Sequence, residues 1–248
     1  MNVADEATTA HLGIKVFACR TVSEISQQLA IHSINDCFHK WGLPESIKID
    51  NGWPFVNPKN RDQPTKAKLW WAGLGIKIIQ NTPRCPQENG AVEALQGIMC
   101  NWSNPKGQNS LVELQVRLNQ ESFFQRAEYR RPAHGYKTRI EQFPELEQNK
   151  RKYNPDNFNI QLVYQYLAKQ VWTRKVKQKG SIKLFANEIY IGLKNKQQFV
   201  FVTLDPIQLK WLIKDRKGNL LNTSTKGIPI EKEIKDFCVM SMNEDTTL

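Results

Sequence analysis

Two fragments of one stretch decide how this chain reads: Ile47-Lys48-Ile49-Asp50-Asn51-Gly52 and Pro83-Arg84-Cys85-Pro86-Gln87-Glu88-Asn89-Gly90-Ala91-Val92-Glu93. The first is a short apolar run that stops on a carboxylate and a Gly-containing turn. A buried strand that carries an acid to the end of a sheet has that pattern. The second is a Pro- and Asn-rich loop running into a helix with Glu93 in its first turn. Between them, Pro64 to Gly73 predicts a helix and Ile76-Lys77-Ile78-Ile79 a strand. Strand, helix, strand, loop and helix in that order bring Asp50 and Glu93 to one sheet edge. Two converging carboxylates suit a hard divalent cation, which takes oxygen ligands and keeps waters or substrate phosphates in its shell.

Working outward, composition agrees with a folded protein that meets a polyanion. The 248 residues allow one large domain or two small ones, with 40% hydrophobic and 24% charged residues. The net charge of +11 favours nucleic acid as partner. Much of it is concentrated: between Arg126 and Lys183 stand 14 Lys and Arg against 5 acids. The N-terminus lacks the basic flank and apolar core of a signal peptide. The longest apolar run, Leu69 to Ile76, is far below the ~18 residues of a membrane span. Five cysteines, odd in number and without a CxxC pair, argue against disulfides and a zinc site and for a reducing cytoplasm. His11, His32, His39 and His134 have no metal-ligand spacing with them.

Upstream of Asp50, Val3-Ala4 and His11 to Ala18 read as two short strands joined near Glu6-Ala7-Thr8-Thr9. Thr21-Val22-Ser23-Glu24 has the form of a capping box. The helix it is expected to open buries Val22, Ile25, Leu29, Ile34, Cys37, Phe38 and Trp41, and ends at Gly42 and Pro44.

Asp-Asn-Gly after a strand, followed by Pro-Gln-x-x-Gly-x-x-Glu opening a helix, resembles the RNase H-like core of retroviral integrases and DDE transposases. The resemblance spans roughly residues 1 to 145, and its most specific part is Glu93 with the loop before it. It implies that Asp50 and Glu93 are the second and third members of a catalytic carboxylate triad. It also implies Mg²⁺ or Mn²⁺ as cofactor and DNA as substrate. In such enzymes two metal ions activate a water or a DNA 3′-hydroxyl and stabilise the leaving oxygen. Arg84, Gln87 and Asn89 then fall in the active-site loop that meets DNA. The separation of Asp50 and Glu93, with 42 residues between them, is longer than the integrase type and fits branches with an insertion. One departure stands out: relatives place Lys or Arg on the Glu93 helix, and this chain has none there before Lys106.

The family's first Asp lies in the middle of a first, central strand. Asp5 is the one acid of suitable type upstream, yet only 15 residues separate it from Thr21. Completing that strand, two turns and two more strands needs on the order of 20 residues or more. Asp5 therefore reads as structural, at the end of what resembles the family's second strand, and the first strand with its Asp is expected to be absent. The unpaired edge that results predicts self-association or pairing with a full-length transposase.

Downstream, Ser110-Leu111-Val112-Glu113 caps a helix expected to reach about Arg130, and Arg131 to Thr138 resembles the turn that follows the last core helix. From Val171 to Ile230 the pattern becomes period two, with five strands between turn residues. These predict a small barrel similar to the C-terminal barrel of transposases, preceded by the basic run Arg174-Lys175-Val176-Lys177-Gln178-Lys179. Arg174, Lys175 and Lys177 are candidate phosphate contacts.

The expected fold class is thus α/β. An RNase H-like mixed sheet with flanking helices, its first strand missing, occupies 1–143. A linker and helix fill 144–170, a small all-β barrel 171–231, and a loose tail 232–248. The expected function is that of a transposase or integrase core fragment, inactive alone for want of the first Asp, in the cytoplasm and associated with the nucleoid. The alternative is a non-catalytic DNA-binding remnant or a regulatory fragment that joins full-length transposase.

Overall fold

Local signals decide most of the elements of the computed structural model, which describes residues 1–21, 24–57 and 60–239. β1 (Asn2–Ala4) and β2 (His11–Ile14) form an antiparallel hairpin with Val3 opposite Gly13. Asp5 closes its turn: its Oδ1 accepts from the Thr8 N–H and the Thr8 hydroxyl, both at 2.7 Å. Asp5 is thereby an Asx-turn residue, in keeping with the structural role read for it.

Helix α1 (Gln27–Trp41) starts at Ser26, whose hydroxyl accepts from the Leu29 N–H at 3.1 Å. The expected start at Thr21 is therefore corrected by about one and a half turns. Glu24 instead folds back onto the Arg20 N–H at 2.9 Å, closing a separate turn. Val22 and Ser23, placed in that expected helix, lie outside the described residues. Gly42, at φ 81°, ends the helix as expected, in a backbone region that glycine adopts without strain.

β3 (Ser46–Ile49), α2 (Lys66–Gly73) and β4 (Lys77–Gln80) follow, then α3 (Gly90–Ser103), α4 (Leu111–Ala127), the short α5 (Arg139–Gln142) and α6 (Ile160–Ala168). Five of the remaining strands answer the period-two stretches: β6 (Ser181–Leu184), β7 (Asn187–Tyr190), β8 (Phe199–Asp205), β9 (Lys210–Lys214) and β10 (Leu220–Ser224). β5 (Trp172–Lys175) precedes them and α7 (Glu231–Val239) follows.

The chain divides into two compact units, one holding Met1–Phe55 with Ile78–Asn154, the other Val56–Lys77 with Pro155–Cys238. Helix α2, assigned from sequence to the 1–143 domain, groups with the second unit. Its two tryptophans explain why: Trp70 and Trp71 are fully buried, and Trp70 stacks on Phe158 at 5.1 Å. Burying a side chain of this size gains roughly 2–3 kcal/mol, more than an octapeptide helix gains from its own hydrogen bonds.

In the second unit β10-β9-β8-β5 form an open four-stranded antiparallel sheet, and β6-β7 a separate hairpin. No barrel closes among the described residues, which corrects the expected all-β barrel. Trp172, Phe185 and Trp211 meet edge to face at 5.4–5.9 Å and form an aromatic cluster in this unit. The tail expectation is corrected for 232–239, where α7 buries Ile234 and Cys238, and Lys66 lies 4.5 Å over Phe237. Residues 240–248 lie outside the described residues.

The first unit is mixed α/β, but its strands form two separate two-stranded ladders, β1-β2 and β3-β4, in place of one mixed sheet. One edge of the hairpin is sealed by α4. Gln115 donates to Ile14 O at 2.9 Å and accepts from Val16 N at 2.9 Å. Gln125 donates to Thr9 O at 2.9 Å and accepts from His11 N at 3.1 Å. These amides satisfy edge groups as a neighbouring strand would.

His11 sits inside this arrangement, fully buried, with Nδ1 2.7 Å from Ser122 Oγ. Burial, with Arg126 beside it, pulls its pKa down to about 4. The imidazole is therefore neutral in the folded protein while the unfolded chain protonates near pH 6.5. Below pH 6.5 the unfolded state binds the extra proton, so stability falls as pH drops from 6.5 towards 4. Denaturant unfolding should lose about 3 kcal/mol over that window relative to a His11→Asn variant. A flat difference between the two proteins would refute it.

Candidate functional site

Asp50 follows β3 directly, exposed, with its Oδ1 accepting from the Gly52 N–H at 3.1 Å. A Cβ at Gly52 would stand 3.1 Å from Asp50 Oδ2, so this position keeps the carboxylate unobstructed. The loop beyond is pinned to the approach of α1: Trp53 Nε1 donates to Ile25 O at 2.6 Å, and Gln27 Nε2 to Pro54 O at 2.7 Å. Glu93 is exposed in the first turn of α3, where sequence placed it.

The structure joins the loops that carry the two acids through a chain of amides. Gln80 Nε2 donates to Asn51 Oδ1 at 2.6 Å, and Asn51 Nδ2 donates to Asn81 O at 2.8 Å. Asn81 N donates to Ile49 O at 3.0 Å, extending the β3-β4 ladder, while its side-chain Nδ2 donates to Asn89 Oδ1. One residue on, the Thr82 N–H donates to Glu88 at 2.8 Å. That bond, with Lys48 adding attraction, holds the Glu88 carboxyl below its ordinary range. Asp50 is thus one residue from one end of the chain. Glu93 is one helical turn, about 6 Å, beyond the other.

Asn51 and Asn89 were part of the quoted motifs; Gln80 and Asn81 were not. Their one visible signal was a pair of amides between a strand and the turn Thr82-Pro83. The partners they take lie 8 to 30 residues away in sequence.

Asp50 and Glu93 themselves offer carboxylate oxygens, the ligand type a hard cation takes. Asn81 Oδ1 is buried without a hydrogen-bond partner, a further oxygen beside the two loops. In number the set is short: among the described residues no group of three or more His, Cys, Asp or Glu gathers where it could hold a metal.

Of the other candidate residues, Arg84 and Gln87 are exposed, Arg84 at φ 65°, and Asn89 is half-buried in the amide chain. Arg174 is committed within its own unit, paired with Asp62 at 2.6 Å and donating to Lys183 O at 2.9 Å. Lys177 pairs with Glu188 at 2.9 Å, and Lys175 is exposed. The basic run therefore splits: Arg174 organises the strand it stands on, and Lys175 faces solvent. Among the described residues no helix is long and apolar enough to cross a membrane.

No family model matches the chain, and no curated protein matches it.

Asn81→Leu removes the donor to Asn89 and should cost about 1–2 kcal/mol of stability. The amides of Thr82 and Glu88 should then exchange with solvent measurably faster. Unchanged exchange at both would show that the amide chain does not hold the loops together.

Proposed function

We propose that this chain is the carboxylate-bearing part of a DNA strand-transfer enzyme of the integrase and transposase type, and that it acts with a strand it does not itself contain. The observation that carries the proposal is the amide chain from Asn51 to Asn89, which links the Asp-Asn-Gly turn to the loop of Glu93. Asp50 and Glu93 would hold Mg²⁺ or Mn²⁺; bound there, the cation would polarise the phosphodiester and stabilise charge on the leaving oxygen. Asp50 and Glu93 supply the oxygen ligands, and Asn81 fixes the distance between the loops that present them.

The strand architecture supports the same reading. β1 has only β2 as hydrogen-bonded neighbour and β3 only β4, among the described residues. Two-stranded ladders are marginal by themselves. Lys48 on β3 reaches Glu6 in the hairpin turn at 2.8 Å, a single side-chain link between the two ladders. One strand hydrogen-bonded to both would make a single sheet and could bring a third carboxylate beside Asp50. Helix α3 is also left with a narrow contact: it buries Leu95, Met99 and Ser103 while Val92 and Ile98 are exposed.

With Mg²⁺ or Mn²⁺ the chain alone should show no DNA nicking or strand transfer. An Asp-bearing strand, fused upstream or supplied in trans, should restore it. In the restored enzyme Asp50→Asn and Glu93→Gln should each lower the rate by about 10³-fold or more, and Asp5→Asn should leave it nearly unchanged. If the chain alone cuts DNA and Asp5→Asn abolishes cutting, Asp5 is the missing carboxylate and the proposal fails. DNA binding with no cleavage under any supplied strand would leave the non-catalytic reading in its place.

Duplex binding should be sequence-blind and should weaken steeply with salt, because Lys and Arg contacts to phosphate dominate it. Lys175→Glu should weaken it several-fold at low salt and leave the unfolding midpoint in place. Arg174→Ala should instead cost about 1–2 kcal/mol of stability, since it removes hydrogen bonds and an ion pair. Binding indifferent to both salt and Lys175→Glu would remove nucleic acid as partner.

A further inference from the structure

We propose that a half-open cavity in the first unit, lined by the β1-β2 hairpin, α1 and α4, binds a small oxyanion of the inorganic phosphate class beside Arg126. The cavity measures ≈ 290 Å³, and Arg126, Ser122, Lys15, Lys40, Ser33 and Asp36 are among the residues that line it. At about 30 Å³ per water, it has room for roughly ten waters or a tetrahedral anion with part of its hydration.

Arg126 is the reason to expect the anion. The residue is 3% exposed, and no carboxylate forms an ion pair with it among the described residues; Glu147 attracts it only from beyond ion-pair distance. One terminal nitrogen donates to the His11 carbonyl and, at 2.7 Å, to Ser122 Oγ. Its Nε is buried with no partner at all. A guanidinium taken out of water without a counter-charge costs several kcal/mol, and the ring of Trp41, 4.9 Å from Cζ, offsets only part of that.

The surroundings add positive charge. Lys40 lies 5.2 Å over the same Trp41 ring, and Lys15 is half-buried at the cavity wall. His11 is neutral at pH 7 and contributes nothing to the balance. The acid on the lining, Asp36, is exposed to solvent, where its charge is screened. A bound oxyanion would stand beside the Arg126 guanidinium, accept from the lysine ammoniums on the wall and rim, and add to the negative charge that faces Arg126. This site is separate from Asp50 and Glu93, and it stands whatever reaction those residues serve.

Titration of the full chain with sodium phosphate, against sodium chloride at constant ionic strength, tests it by calorimetry and by amide chemical shifts. The expected result is saturable 1:1 binding with shifts centred on Gly13 and Ser122, abolished in Arg126→Met. Lys15→Ala and Lys40→Ala, on the wall and rim, should weaken phosphate several-fold without moving the phosphate-free unfolding midpoint. They decide the matter should Arg126→Met not fold. Saturating duplex DNA should leave the phosphate shifts in place. Lack of saturation, full affinity in the lysine variants, or displacement of phosphate by duplex DNA would each overturn the assignment.

Discussion

The hydrogen-bonded amides of Asn51, Gln80, Asn81 and Asn89 are the constraint on which the candidate site depends. They join three places where the backbone changes direction: the end of β3, the end of β4 and the start of α3. None of the four carries charge, so the link is insensitive to pH and only weakly sensitive to salt. Asn81 is the one buried member of the four, so its side chain is the costly one to remove. Trp53 and Gln27 perform the same service on the other side of Asp50 by pinning its loop to the start of α1.

The strand edges of the first unit are treated unequally, and the contrast carries meaning. Helix α4 spends Gln115 and Gln125 on the outer edge of β2, satisfying four backbone groups with two side chains. Ser122 and Arg126 of the same helix reinforce it at His11. Nothing comparable covers the far side of β1 or β3 among the described residues. Proteins close the edges that must not pair with other chains. Helix α3 packs against β1, so that strand has a helix beside it though no further strand. Val92 and Ile98 on the same helix remain exposed.

Much of the fold was legible because it rests on short-range chemistry. Gly42 stopped α1, Ser110 with Glu113 opened α4, and five stretches of alternation became β6 to β10. Asp50 and Glu93 landed at a strand end and in a first helical turn, as their flanking residues dictated. Thr21 misled because Thr-x-x-Glu and Ser26 offer equal local signals, and only the fold chooses Ser26. The α7 helix was missed because Ile234 and Cys238 form a single pair one turn apart, too little periodicity to read. Gln115 and Gln125 could not have been identified, since their partners lie 99 to 116 residues away. Period-two patterning marks strands but does not encode whether their sheet closes, and here it stays open. Helix α2 was found in place, and its all-round burial hides from sequence that it groups with the second unit.

The central claim is that Asp50 and Glu93 serve one cation, and it is tested most directly by Mn²⁺ titration of the full chain, followed by electron paramagnetic resonance and by paramagnetic broadening of amide signals. The account predicts one weak Mn²⁺ per chain, with broadening centred on Asp50–Gly52 and Gly90–Glu93 together. Asp50→Asn and Glu93→Gln should each remove it. Broadening at one of these loops without the other, or binding that survives both substitutions, would contradict the account.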